Sequence, residues 1–229
     1  MEHFVPGHPG QAAVSEPVTY DTVASLGPKL AKDPKFDIDF ITTKTLPSFR
    51  RLISLLLPIR YPDRYYNALI NNPDGNLIVR VALWNGSKPI TTNPNPKLDT
   101  LGHVVGGICC RVEPILSPDS DPTPTGRTEL YITTLAVLSP FRGHGIAAEL
   151  LENVLKEAVN IHGVESVYAH VWVANEEALE WYEKRGFRNE GIADGYYRRL
   201  NPQSAFLLRK SVGVTEHLRM KGLDSNGSE

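Results

Sequence analysis

Leu130-Tyr-Ile-Thr-Thr-Leu-Ala-Val-Leu-Ser-Pro-Phe-Arg-Gly-His-Gly-Ile-Ala-Ala-Glu149 reads as a buried strand, a glycine turn and the opening of a helix. From Leu130 to Leu138 the residues are mostly apolar and β-favouring, and Pro140 closes the run because it has no N–H for a central ladder. Arg142-Gly-His-Gly145 then brings two glycines to the point where a new helix presents its unpaired amides and the positive end of its dipole. A turn of this kind favours a phosphate-bearing ligand.

The 229 residues, 41% hydrophobic and 22% charged, suffice for one domain with a real core and some surplus. A formal net charge of −2 gives no global basic field toward nucleic acid or a membrane surface. Cys109 and Cys110 are adjacent within an apolar run, which suits neither a disulfide framework nor a metal site, and no metal is expected. A reducing compartment fits that usage best. The longest apolar run, around Leu55 to Ile59, falls far short of the roughly 20 residues of a membrane span, and the start does not resemble a signal peptide.

Working outward, residues 1–34 show no sustained periodicity and read as a weakly ordered arm, residues 35–212 as the domain, and residues 213–229 as a polar tail. Phe36 to Ile41 alternates as a half-buried strand. A helix follows Thr45 as its cap, with Phe49, Leu52, Ile53 and Leu56 on one face and Pro58 as its end. Pro62 to Asn71 forms a second helix. Leu77 to Trp84 is a strand, Asn85-Gly86 a hairpin signal, and Val104 to Val112 the return strand. The segments 87–102 and 114–127 read as loop insertions.

Beyond the glycine turn, Ile146, Leu150, Val154 and Ala158 line a helix that Gly163 stops. Glu165 to Val173 is a strand with Tyr168, His170 and Trp172 on one face. Asn175-Glu-Glu opens a further helix that ends at Gly186, and Phe187 to Glu190 and Ala205 to Lys210 are the last strands, joined by a loop carrying Tyr196-Tyr197. The expected class is α+β with a mixed central sheet flanked by helices.

With Arg142, Gly145 and Ala147 as R-x-x-G-x-A between a strand and a helix, and Asn175 and Tyr182 beyond, the chain resembles the GCN5-related N-acetyltransferase (GNAT) fold from about Phe36 to Val212. More narrowly, Leu57-Pro-Ile-Arg-Tyr61, Leu130-Tyr-Ile-Thr-Thr-Leu135, Tyr168-Ala-His-Val171, Tyr182-Glu-Lys-Arg-Gly-Phe187 and Tyr196-Tyr197 resemble the catalytic subunits of NatE-type N-terminal acetyltransferases. Ala136 stands at the family's usual strand glycine and Leu57 at its usual phenylalanine; the two insertions and the arm have no family counterpart.

The resemblance implies acetyl-CoA as cosubstrate and protein N-termini beginning with Met and a hydrophobic residue as acceptors. Its pyrophosphate seat maps to Arg142, Gly143, His144, Gly145, Ile146, Ala147 and Ala148, and its oxyanion and pantetheine edge to Leu135, Ala136 and Val137. His170 is the implied base, with Tyr131 relaying the proton; as plain packing, the same pair would fill a sheet face with Tyr168 and Trp172. Tyr182 lies near the sulfur, and Asn175 either contacts the coenzyme or only caps its helix. Leu57, Pro58, Ile59 and Tyr61 form one acceptor wall and Tyr196 and Tyr197 the other. Lysine or small-amine acetylation, and an acetyl-CoA-loaded scaffold role in a larger complex, are the alternatives. NatA-type subunits at the ribosome are the implied partners, in the cytoplasm with the nucleus also open.

Overall fold

The computed structural model describes residues 36–57, 60–84, 103–117 and 123–212. In chain order these form β1 (Phe36–Phe40), α1 (Leu46–Leu56), α2 (Asp63–Asn71), β2 (Leu77–Trp84), β3 (His103–Leu116), β4 (Pro124–Val137), a 3-10 turn (Ser139–Phe141), α3 (Ile146–His162), β5 (Val164–Trp172), α4 (Glu176–Glu183), β6 (Arg188–Ala193) and β7 (Ala205–Ser211). The seven strands make one mixed sheet in the order β1-β2-β3-β4-β5-β7-β6, with β4 and β5 parallel. This is the α+β architecture expected from the alternation of strand and helix periods. The arm, the tail, Pro58, Ile59 and the segment 87–102 lie outside the described residues, as do 118–122.

Contacts divide the chain into two compact units. The first takes its described residues from 1–73, 80–107 and 136–150. In it, β1 pairs antiparallel with β2 from Phe36↔Trp84 to Phe40↔Arg80. α1 buries Phe49, Leu52 and Ile53 and leaves Arg50 and Arg51 exposed, the face its 3.6-residue periodicity requires. Gly107 is where Phe49 docks: a Cβ there would stand 2.4 Å from Phe49 Cε2. Thr45 precedes α1 but does not cap it by side chain. Its hydroxyl instead accepts from the Thr42 amide at 2.9 Å, tying off the turn before the helix.

The second unit takes its described residues from 74–79, 108–135 and 151–212. Here β5 alternates buried Val167, Ala169 and Val171 with half-buried Tyr168, His170 and Trp172, so its period of two sends the two sets to opposite faces. It pairs with β7 along its length, from Ser166↔Ser211 to Trp172↔Ala205. Its register with β4 runs only from Thr128↔Val164 to Ile132↔Ala169, although both strands continue beyond that point.

The segment 114–127 corrects the sequence reading. Its described residues are mostly strand instead of a loop decoration: β3 runs on through Pro114 to Leu116 and β4 already begins at Pro124. The Ser117 amide donates to Thr123 O at 2.9 Å, and Thr125 Oγ1 donates to Ile115 O at 2.8 Å. Pro124 is compatible with this because it is the first residue of its strand, where no ladder donor is needed. No helix among the described residues is long and apolar enough to cross a membrane.

Candidate active site

Strand pairing in the second unit gathers one aromatic cluster. The β4–β5 register sets Tyr131 beside Tyr168, and their rings stack with centroids 4.7 Å apart at 13°. Two residues further along β5, His170 lies on the same face and meets Tyr131 edge-on at 5.7 Å. The segment between β6 and β7 is drawn onto this face: Tyr197 N–H donates to Gln203 O at 2.8 Å, and the Tyr197 hydroxyl donates to His170 O at 3.1 Å. Tyr196 then stacks on His170, 4.1 Å between centroids at 12°, and its hydroxyl is hydrogen-bonded to that of Tyr131. Four residues singled out from the sequence, Tyr131, His170, Tyr196 and Tyr197, are thus brought together.

Burial sets the protonation states. The Tyr131 phenol is pushed far above its ordinary range, first by desolvation and then by Tyr196 and Tyr168 alongside. Such a phenol keeps its proton and cannot serve as a base; it can donate a hydrogen bond or pass a proton along. His170 is held below the ordinary imidazole value, chiefly by burial, with Arg209 acting in the same sense and Glu113 opposing both. It is therefore neutral at pH 7, and its Nδ1 is buried with no hydrogen-bond partner among the described residues.

Two contributors were missed by sequence reasoning. Glu113 of β3 accepts a 2.6 Å hydrogen bond from the Tyr168 hydroxyl, and Arg111 clamps its other oxygen, with Nε 2.6 Å away. Arg209 of β7 sits over the Tyr168 ring at 4.9 Å and pairs with Glu129 and Glu190. Only the register of β3, β4, β5 and β7 brings these side chains together, and no local spacing in the sequence announces it. Glu113 also borders a cleft of about 1030 Å³ that runs past Glu129, Arg127 and Arg209. Its charges are paired as Arg127–Glu165 and Arg209–Glu129, and among the described residues no histidine or cysteine lines it.

The glycine turn belongs to the first unit. After the 3-10 turn, Gly143 (φ 77°) and Gly145 (φ 82°) adopt left-handed backbone conformations, and none of the described residues lies within 4 Å of a Cβ built on either. The first α3 bond runs from the Glu149 amide to Gly145 O at 3.0 Å, so the amides of Ile146, Ala147 and Ala148 precede the intrahelical ladder. This is an open, donor-lined cradle that fits a phosphate. Arg142 turns partly back, its Nε donating to Val137 O at 3.3 Å, and His144 Nδ1 donates to Arg142 O at 2.9 Å. Ala136 and Val137 are buried beside Gly106, where a Cβ would come within 3.3 Å of Ala136 O and 3.2 Å of Val137 Cγ2.

Of the residues expected on one acceptor wall, Leu57 is the extended residue that ends α1, and Tyr61 stacks on Tyr65 at 4.2 Å. In the second unit Asn175 is a true cap, its Oδ1 accepting from the Ala178 amide at 3.1 Å. Tyr182 is buried against Phe187, and burial pushes its phenol above the ordinary range, so it too stays protonated. Among the described residues no group of three His, Cys, Asp or Glu could hold a metal ion.

The chain is similar to known proteins. The acetyltransferase (GNAT) family model matches residues 46–187. N-alpha-acetyltransferase 50 of Danio rerio is 26% identical over 78% of this chain and 89% of its own. The probable N-acetyltransferase san of Drosophila melanogaster is 27% identical over 76% and 80%. The structure of Arabidopsis thaliana Naa50 in complex with the bisubstrate analogue CoA-Ac-MVNAL superposes with a TM-score of 0.58 at 29% identity, covering 77% of this chain and 99% of that one.

Proposed function

Because the chain belongs to the GNAT acetyltransferase family, we propose that it is an N-terminal protein acetyltransferase. It moves the acetyl group of acetyl-CoA to the α-amino group of peptides beginning with Met and a hydrophobic residue. The observation that supports this most is His170: a neutral imidazole whose buried Nδ1 has no partner among the described residues, ringed by phenols that keep their protons. The likeness to a structure carrying a CoA-Ac-MVNAL analogue, whose peptide starts Met-Val, supports the acceptor.

The donor would be held at the Gly143–Ala148 cradle by backbone amides and the helix dipole, with Leu135, Ala136 and Val137 along its arm; it supplies an activated acetyl carbonyl. An α-amino group has a pKa near 8, so roughly a tenth is neutral at pH 7 and a modest base is enough. As the N–C bond forms, the nitrogen's proton passes to His170, directly or by way of the Tyr131–Tyr196 hydroxyl pair. Tyr182, held neutral, would donate a hydrogen bond to the departing sulfur. The NatE-type resemblance assigns Leu57, Pro58, Ile59 and Tyr61 to one acceptor wall and Tyr196 and Tyr197 to the other.

A cytoplasmic setting, with NatA-type subunits at the ribosome as partners, belongs to the same reading and is supported by the NatE-type resemblance. The deciding experiment compares acetyl transfer by the full chain to Met-Leu, Ser-Glu and internal-lysine peptides. Preference for Met-Leu by tenfold or more in kcat/KM, about 1.4 kcal/mol, is expected. Equal rates on all three would reject the acceptor assignment, and transfer to lysine alone would move it to the side-chain class.

A further inference from the structure

We propose that Glu113 is a positioning residue of this site: its carboxylate, clamped by Arg111, anchors the Tyr168 phenol against Tyr131 and presents to His170 a negative charge that favours uptake of the amine's proton. The inference rests on the functional reading above and extends it to a strand outside the sequence motifs.

The geometry is specific. One oxygen of Glu113 takes Arg111 and the other takes Tyr168, so the carboxylate is fixed from both sides. The side chains of Arg111 and Glu113 are only 19% and 21% exposed, so this is not a loose surface pair. The Tyr168 ring in turn carries Tyr131 by stacking at 4.7 Å and meets His170 edge-on at 6.0 Å. Moving Glu113 therefore moves the platform on which both proposed proton carriers rest.

Charged and titratable groups reach His170 from every neighbouring element. β3 gives Glu113 with Arg111, β4 gives Tyr131, β5 itself gives Tyr168, the β6–β7 segment gives Tyr196 and Tyr197, and β7 gives Arg209. The phenols that flank the ring, Tyr131, Tyr168 and Tyr196, are all pushed up by burial and stay uncharged. What remains is a contest between Arg209, which disfavours imidazolium and is itself tied to Glu129 and Glu190, and Glu113, which favours it. Burial already lowers the proton affinity of His170, so the opposing carboxylate decides how effective a base it is.

The test is a ¹³C-histidine NMR titration of the full chain, with His170 assigned by loss of its signal in His170→Ala, beside pH profiles for acetylation of a Met-Leu peptide. Glu113→Gln, nearly isosteric, should move the His170 midpoint to lower pH and lower plateau kcat about tenfold, with acetyl-CoA affinity unchanged. Glu113→Asp keeps the charge but withdraws it by one methylene, so both effects should have the same sign and be smaller. A folded Glu113→Gln protein with an unmoved midpoint overturns the inference. Should that variant fail to fold, a Glu113→Asp protein with wild-type midpoint and wild-type kcat does the same. The NMR arm needs no acceptor: a wild-type protein inactive on every peptide whose His170 midpoint still moves in Glu113→Gln refutes the acceptor reading and leaves the electrostatic role standing.

Discussion

The His170 imidazole lies flat on the Tyr196 ring, 4.1 Å between centroids and 12° between planes. In the proposed mechanism the β6–β7 segment is thereby part of the proton-handling site as well as a wall for the acceptor. Tyr196 offers a face to His170 and a hydroxyl to Tyr131, and the two can be removed separately. Tyr196→Phe should keep the stack and lose the hydroxyl pair, lowering kcat about three- to tenfold; Tyr196→Ala should lose both and cost about a hundredfold. Steady-state kinetics on a Met-Leu peptide, with acetyl-CoA affinity unchanged, checks the order.

Replacing the base should cost more than replacing its neighbours. His170→Ala is expected to lower kcat by about a hundredfold or more while acetyl-CoA binding, measured by calorimetry, stays at the wild-type level. Loss of binding in parallel with turnover would mean a structural role for the ring.

The pH profile follows from the directions of the shifts. His170 must be neutral to accept a proton, and its pKa is depressed, so beneath the limb near pH 8 that the acceptor's own α-amino group imposes on kcat/KM, a second acid limb belonging to the enzyme should fall below pH 6.5, the ordinary imidazole value. Tyr131 is shifted the other way and should add no fall in activity up to pH 10. An enzyme limb above 6.5, separated from the amine's own ionisation by repeating the profile with an acceptor of different amine pKa, would count against His170 as the base.

At the phosphate cradle, Gly143→Ala and Gly145→Ala each force a side chain onto a left-handed backbone, at φ 77° and 82°. No neighbour among the described residues would clash, so the cost is backbone strain of about 1–2 kcal/mol, which the turn can relieve by changing shape. Acetyl-CoA affinity should weaken about tenfold in each variant, as read by calorimetry, with little loss of thermal stability.

Gly107→Ala should do the reverse. Its Cβ would overlap the Phe49 ring at 2.4 Å within a closed core, so destabilisation of about 1–3 kcal/mol is expected in denaturant melts, with acetyl-CoA affinity kept in the folded fraction.

How much of this could be read from sequence depended on range. α3, β5 and the cradle were legible because each is encoded within a few turns of chain: the four-residue repeat from Ile146, the alternation through His170, and the glycines at 143 and 145. Asn175 as a cap was legible for the same reason. Thr45 misled because a threonine before a helix can spend its hydroxyl on the preceding turn, as it does with Thr42. The segment 114–127 looked like loop because proline, serine and threonine suggest turns one residue at a time, whereas two arms that pair with each other override that composition. Glu113 and Arg209 were invisible, since their relevance exists only once four strands are in register. Tyr196 was recognised and assigned to the acceptor wall; its stacking on His170 depends on how the β6–β7 segment folds back, which no spacing records.

The buried tyrosines also give the protein an optical indicator of its own integrity. Among the described residues Tyr66, Tyr131, Tyr168, Tyr182 and Tyr196 all ionise later than a free phenol, each chiefly because burial disfavours the phenolate. The folded chain holds these protons while the unfolded chain releases them near pH 10, so stability must decline as pH rises past that value. Phenolate absorbance in alkali should therefore climb in two waves, first from accessible rings and then, together, from rings freed by unfolding. The second wave reports, without any added dye or substrate, the moment at which the layered aromatic site comes apart.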